Sequence, residues 1–487
     1  MRKHSDNKST DSKQDNKAST SWAEQEFVPQ CVPDLRLHKR LIRVTTQLAE
    51  NPTGSIPEAC ENWNGARGAY RFFDNGSVDS KSLLASHKQA TVERMKTHAV
   101  VLVPQDTTSF NFTNHKNTRG LGPIGDKANG PQGLMLHHAL ALSEEGLPLG
   151  GLHFDLWARN RADFGKAKKR KKLSLKDKES VKWPKGWRAT VEAARQTPQA
   201  LVISICDREG DVYEVLEEAS KCDCPNVGLL VRLRHDRSVE LPAGQESGEE
   251  TKSKLQASLS SQPVAATIHV QVPRHENQAA RAAELEVRFC AFTVQAPVAK
   301  GHLPAIQVYA VQAREINPPA GVEPICWELL STRPVTTAAQ AIRMVKWYAK
   351  RWQIEVYHKV LKSGCQVEQS QLETVERLQR MLAIYMIVAW RVLALTMAAR
   401  EYPQLPVSIW LEEAQWQTLY CYEHKTAQPP KECPTVKEAV LWIAKLGGFL
   451  ARKGDGNPGP KCLWRGLRRL NNITEGFMFA LSLKSRK

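Results

Sequence analysis

Apolar side chains first recur with a helical period at Leu35, Leu37, Leu41, Ile42, Val44 and Leu48, with Arg36, Lys39, Arg40 and Arg43 set among them. Steps of three and four predict an amphipathic helix with an apolar and a basic side, and the whole of residues 23–80 reads as a small helical domain. Residues 1–22 are rich in Ser, Lys, Asp and Asn and predict a disordered polar tail. Beyond residue 80 the period shortens. Val100–Val103 is an apolar run that reads as a strand ending at Asp106, and further runs follow around Leu134–Leu142 and Leu149–Leu156. Leu201–Cys206 is the clearest buried strand and stops at Asp207, while Val227–Leu233 leads into Arg232, Arg234, His235 and Arg237.

Residues 238–265 are rich in Ser, Gln, Glu and Gly and predict no regular element. Alternating runs at Thr267–Val272, Leu285–Val294 and Ile306–Val311 predict strands of an inserted sheet, a β-rich insertion at about 235–325 within a larger α/β region, 81–385. From Thr336 the pattern is helical almost to the end, and residues 386–487 form a separate helical region punctuated by prolines. No stretch reaches the roughly 18 apolar residues of a membrane span; Met381–Ala398 is interrupted by Arg391 and reads as a buried helix.

Charge narrows the class of partner. The 487 residues carry 68 Lys and Arg against 51 Asp and Glu, a net charge of +17. Such an excess without a membrane anchor points to a polyanion, most often nucleic acid. The densest block, Lys166–Lys172, reads as an exposed loop near phosphate. The eleven cysteines are odd in number, and Cys222 and Cys224 are too close for a metal-binding C-x-x-C pair. Reduced packing thiols and, with no apolar signal core in the first twenty residues, an intracellular protein are the expectation.

Candidate chemistry lies on the helix predicted around residue 350. Tyr348, Arg351, Glu355 and Lys362 are offset by three, seven and fourteen residues, so they return to nearly one azimuth. A carboxylate among cations on a helix otherwise suited to burial fits a site for metal and phosphate; a solvated charged face with i,i+4 pairs is the plainer alternative. Two predicted strands end in Asp106 and Asp207. Strand ends gather catalytic groups in α/β sheets, though turns and caps select Asp too. Three carboxylates brought together require compensating cations, and hard oxygen ligands suit Mg²⁺.

The helix fits Y-x2-R-x3-E-x6-K, and this resembles the signature of the insertion-sequence-4 family of bacterial DDE transposases. Further matches follow in order: Arg71 within Ala69-Tyr70-Arg71-Phe72-Phe73, Asp106-Thr107-Thr108-Ser109, Asp177-Lys178-Glu179-Ser180, Asp207-Arg208-Glu209, Glu315-Ile316-Asn317-Pro318-Pro319, Trp327, and Ile443-Ala444-Lys445-Leu446-Gly447-Gly448-Phe449. The resemblance implies an α/β, ribonuclease-H-like catalytic core with a β-rich insertion, an N-terminal helical DNA-binding domain and a C-terminal helical region for dimerisation. It implies Asp106, Asp207 and Glu355 as a catalytic triad holding Mg²⁺, two ions in all, with Mn²⁺ able to substitute. Tyr348, Arg351 and Lys362 would contact transposon-end phosphates. Trp327 would stack on a flipped base during hairpin formation. Arg232, Arg71, Arg40 and Arg36, with Lys39 and Arg43, are further candidate DNA contacts.

The implied partners are double-stranded DNA, as inverted-repeat ends and as target, and a second copy of the chain; no membrane is involved. The implied place is the bacterial cytoplasm, at the nucleoid. Trp464, Leu467 and Leu470 are a candidate dimer face. The stretch between Asp126 and His138, the lysine-rich loop, residues 238–265 and the long N-terminus depart from the family pattern. Three competing readings remain: a non-catalytic DNA-binding inhibitor, which the complete triad disfavours; a nuclease that never joins strands, which Trp327 disfavours; and a structural nucleoid protein, which needs no carboxylates.

Overall fold

The computed structural model describes residues 21–60, 62–164, 174–240, 252–272 and 281–484. The chain opens with helices α1 (Trp22–Glu26), α2 (Leu35–Glu50), α3 (Ile56–Ala59), α4 (Trp63–Asp74) and α5 (Ser80–Met95). Local capping sets their starts: Ser21 and Glu24 form a capping box on α1, and Asp34 accepts from the Arg36 and Leu37 amides of α2. Trp22, expected within the polar tail, therefore belongs to the first helix. On α2, Leu41, Val44 and Leu48 are buried and Leu37 and Ile42 half-buried, while Arg36, Lys39, Arg40 and Arg43 are exposed, as the periodicity predicts; Leu35, expected on the apolar side, is exposed in the first turn.

Then come β1 (Val100–Asn111), β2 (Gly122–Pro123), β3 (Gln132–Ser143), β4 (Pro148–Trp157), α6 (Lys182–Gln196), β5 (Leu201–Cys206), α7 (Tyr213–Ser220) and β6 (Val227–Arg232). The insertion supplies β7 (Ser238–Glu240), β8 (Lys252–Lys254), α8 (Leu255–Ser260), β9 (Ala266–Val272), β10 (Arg281–Val294), β11 (Ile306–Ile316) and β12 (Cys326–Ser331). β7, β8 and α8 occupy a stretch predicted to be without structure; Leu255 and Leu259 are fully buried there, so packing rather than local pattern orders it.

These strands form one mixed sheet in the order β2-β3-β1-β5-β6-β12-β11-β10-β7-β8, with β4 on β3 and β9 on β10. β1 runs antiparallel to β3 and parallel to β5, and β5 parallel to β6. Successive side chains on a strand point to opposite faces, and the sheet separates two cores accordingly. Leu102, Leu136, Ile203 and Ile205 join the N-terminal helices and the long helix described next; Val101, Val103 and Val202 join Trp183, Trp187 and Val191.

The last part holds α9 (Ala338–Lys350), α10 (Trp352–Lys359), a π-helical turn (Val360–Gly364), α11 (Val375–Glu401), α12 (Glu413–His424), α13 (Val436–Leu446) and α14 (Pro460–Lys484). The stripe from Tyr348 to Lys362 is therefore not one regular helix: it is broken at Arg351, and Lys362 rides on the π turn. By length and composition α11 is apolar enough to cross a membrane, but 94% of its apolar window is buried inside the protein. Arg391 is accommodated there by donating to the Trp410 carbonyl and lying 4.4 Å from the Trp22 ring centre; burial pulls its pKa down to about 10. The division expected at 385/386 falls inside this helix. Trp464 and Leu470 are buried and Leu467 packs against them, so the candidate dimer face is occupied by the chain itself. The lysine-rich loop 166–172 lies outside the described residues. No disulfide forms among the described residues.

Candidate active site and DNA-facing surface

Strand parity brings two aspartates together. Even-numbered positions of β1 and odd-numbered positions of β5 face the core that holds α10 and α11, and so do Asp106 and Asp207. Asp106 is not at a strand end as predicted. β1 continues to Asn111, and it is the parallel partner that stops, the last pair being Pro104 with Ile205. Asp106 thus sits where the pairing edge of β1 opens. Asp207 does end its strand; it caps a short turn by accepting the Glu209 amide at 2.8 Å.

Helices α9 and α10 carry the remaining groups. The guanidinium of Arg351 donates to Glu355 Oε1 at 2.5 Å. Burial pushes the Asp207 carboxyl above its ordinary range, and the negative field of Asp106 adds to this while the Glu209 amide and Arg351 oppose it. Burial acts against the charge on Arg351, yet its pKa is raised because Tyr348, Glu355 and Asp106 favour the cation. One guanidinium therefore acts on all three carboxylates. Among the described residues, no three His, Cys, Asp or Glu side chains converge closely enough to form a metal cage. The donor types nevertheless suit a hard divalent cation: three carboxylates, with the Asp207 carboxyl raised by burial and by Asp106, and a side-chain cation as counterion.

Tyr348 is buried, not displayed on a stripe. Burial raises its pKa; Arg351 and Arg232 oppose the shift, Arg232 also by a side-chain hydrogen bond. Trp327 on β12 meets the Tyr348 ring edge-on, with centres 5.4 Å apart. Arg232 Nη2 donates to the Cys326 carbonyl at 3.0 Å, next to that tryptophan. Tyr348, Arg351, Arg232, Trp327 and the carboxylates thus form one connected neighbourhood. Lys362 stands at its edge, 4.0 Å from Glu368, whose carboxylate also accepts the Asn111 amide at 2.7 Å.

The N-terminal candidates assemble elsewhere. Arg36, Arg40 and Arg71 line one groove between α2 and α4, of about 440 Å³; Arg36, Lys39, Arg40 and Arg43 line another of about 510 Å³. The Arg40 guanidinium lies over Gly68, where a Cβ would come within 2.7 Å of Nη1.

Three fully buried histidines, His87, His137 and His138, and half-buried His153 escaped the sequence reading, although the pair His137-His138 inside an apolar strand was a visible signal. His137 bridges Thr107 and Gln105, and His138 stacks on Phe154. Burial lowers the pKa of His87, His137 and His138, and takes His153 down to about 4. A histidine depressed in the folded state leaves the unfolded chain to bind the proton first, so stability is complete above about pH 6.5 and falls as pH is lowered towards 4. The thermal midpoint should accordingly drop steadily below pH 6.5; a midpoint flat from pH 7 to 5 would contradict this burial.

Three family models match the chain in order: Transposase DNA-binding over residues 19–78, Transposase DDE domain over residues 160–391, and Transposase Tn5 dimerisation domain over residues 387–486. The first coincides with the helices bearing the basic grooves. The second contains Asp207 and Glu355 but begins after Asp106, and the third overlaps the second within α11. With DNA-binding, DDE and dimerisation modules in one chain, the protein is a DDE transposase, a metal-dependent enzyme that cleaves DNA and transfers its strands.

Proposed function

We propose that this transposase moves its element by cutting and pasting, in the manner of the transposase of the kanamycin-resistance composite transposon that its signature resembles. It nicks the transposon end, and the freed 3′-hydroxyl attacks the opposite strand to give a hairpin. Water opens the hairpin, and the same hydroxyl then joins target DNA. Asp106, Asp207 and Glu355 are the proposed metal ligands. Two Mg²⁺ ions, or Mn²⁺ in their place, would activate the attacking oxygen and stabilise the leaving one. The observation that carries the reading is the gathering of these carboxylates around Arg351, beside Tyr348, Arg232 and Trp327. Arg351 and Lys362 hold end phosphates, the first by a planar fork and the second as a point charge. Arg36, Arg40 and Arg71 grip the repeat. Two copies joined through their C-terminal regions pair the two ends; Met478, Phe479, Leu481 and Leu483 are exposed on α14 and available for that contact. The expected place of action is the bacterial nucleoid.

Incubating the protein with labelled inverted-repeat DNA and Mg²⁺ tests this directly. Hairpins and joined products are expected. Nicks alone would indicate a nuclease, and shifted DNA without cleavage a binding protein. Trp327→Ala should still nick while hairpins fall roughly 5- to 150-fold, since base–aromatic stacking contributes ~1–3 kcal/mol; equal loss of nicks and hairpins would rule out stacking as its role. Lys362→Ala should weaken end binding and reduce the salt dependence of log K by about one unit, read by gel shift across a salt series; an unchanged slope would remove Lys362 from the phosphate contacts.

A further inference from the structure

Asp106 has a neighbour that the four-residue signature leaves out. His358 lies about one turn beyond Glu355 on α10, is 5% exposed, and brings Nδ1 to 3.4 Å from Asp106 Oδ2. Its ring is fixed by the rings around it: Tyr357 at 5.7 Å and His138 at 6.0 Å between centres. Tyr357 is pinned in turn, its hydroxyl donating to the Met386 carbonyl of α11 at 3.0 Å. His138 is the cross-strand partner of Asp106 and stacks on Phe154 at 4.7 Å. On the far side of the His358 ring, Nε2 is buried without a hydrogen-bond partner. The imidazole is thus enclosed with Nδ1 towards Asp106.

We propose that His358 is a positioning residue for strand cleavage, its Nδ1 holding one oxygen of Asp106 so that the other faces the divalent metal. This rests on Asp106 being a metal ligand, as proposed above. An aspartate side chain turns about two torsions, and nearby Arg351 competes for the same carboxylate. Catalytic geometry tolerates roughly 0.5 Å of error, so a free carboxylate would spend much of its time misdirected. Partners of metal-ligating carboxylates typically contribute 10- to 100-fold to metal affinity or activity.

Three substitutions separate a donor at this position from simple filling of space. His358→Asn keeps an N–H group at the δ position; His358→Gln moves it to the ε position; His358→Leu removes it. Mn²⁺ binding to the complex with inverted-repeat DNA is titrated by electron paramagnetic resonance, alongside end binding by gel shift and single-turnover nicking. Expected are end binding within about twofold throughout, Mn²⁺ affinity weakened roughly 10- to 100-fold in His358→Leu and His358→Gln, and recovery to within a few-fold in His358→Asn. Should His358→Leu fail to fold, His358→Gln, which stays polar, carries the test. Unchanged Mn²⁺ affinity in the Gln and Leu variants overturns the inference, and so does an Asn variant as weak as Leu. If Asp106→Ala still nicks, the triad reading itself fails; if it is inactive while His358→Leu and His358→Gln behave as wild type, only the positioning role does.

Discussion

Replacing Asp106, Asp207 or Glu355 by alanine should each cut nicking of inverted-repeat DNA by on the order of a thousandfold, about 4 kcal/mol of barrier, while gel-shift affinity for the same DNA stays within a few-fold. The split follows from where the groups lie. The three carboxylates share one guanidinium at the open edge of β1, and as the proposed metal ligands they would support several kcal/mol of transition-state stabilisation. The basic grooves between α2 and α4 lie apart from them, in the region matched as a DNA-binding domain, and on the proposed reading would supply the electrostatic part of binding. Glu355→Ala also releases Arg351 from its ion pair, which favours phosphate contact. Retained cleavage by any of the three in Mg²⁺ would falsify the triad.

Asp211→Ala should be the most destabilising single change near the site, by about 3–5 kcal/mol. Asp211 is 3% exposed, accepts the Arg234 and His235 amides at 2.8 and 3.0 Å, and pairs with buried Arg237. Removing it strands a buried cation and two backbone donors at the exit of β6, where Arg232 leaves for the tyrosine and tryptophan. Urea unfolding measures the loss. Replacing Asp211 and Arg237 together by apolar residues of similar volume should restore much of it, because the penalty lies in the unpaired partner. A single-variant loss under ~1 kcal/mol would mean that the pair is solvated and contributes as a surface bridge does.

Neither Asp211 nor His358 was legible beforehand, and the reason is the same for both. A buried polar residue has no periodic signature; its partners come from strands and helices distant in the sequence. Asp207 was legible because β5, apolar at every position but Ser204, runs directly into it. Asp106 was legible as a residue but misplaced, since the second half of β1 is only partly buried and its polar Asp-Thr-Thr-Ser run reads as a turn. The helical stripe was found by spacing, but spacing is blind to the break at Arg351 and to the π turn beneath Lys362, which lies against α11. β7, β8 and α8 were missed for the opposite reason: their sequence is polar, and two leucines buried against the inserted sheet hold them.

The 27 residues of α11 span roughly 40 Å of continuous helix. The DDE and dimerisation matches meet inside this rod, and Tyr357, the neighbour of His358, is bonded to its middle at Met386. The helix is therefore a shared keel. A tilt of its C-terminal end would pass along one continuous helix as far as Met386, and from there to α10 through the Tyr357 hydrogen bond. The region matched as a dimerisation domain and the helix that carries Glu355 are thereby braced on a single strut.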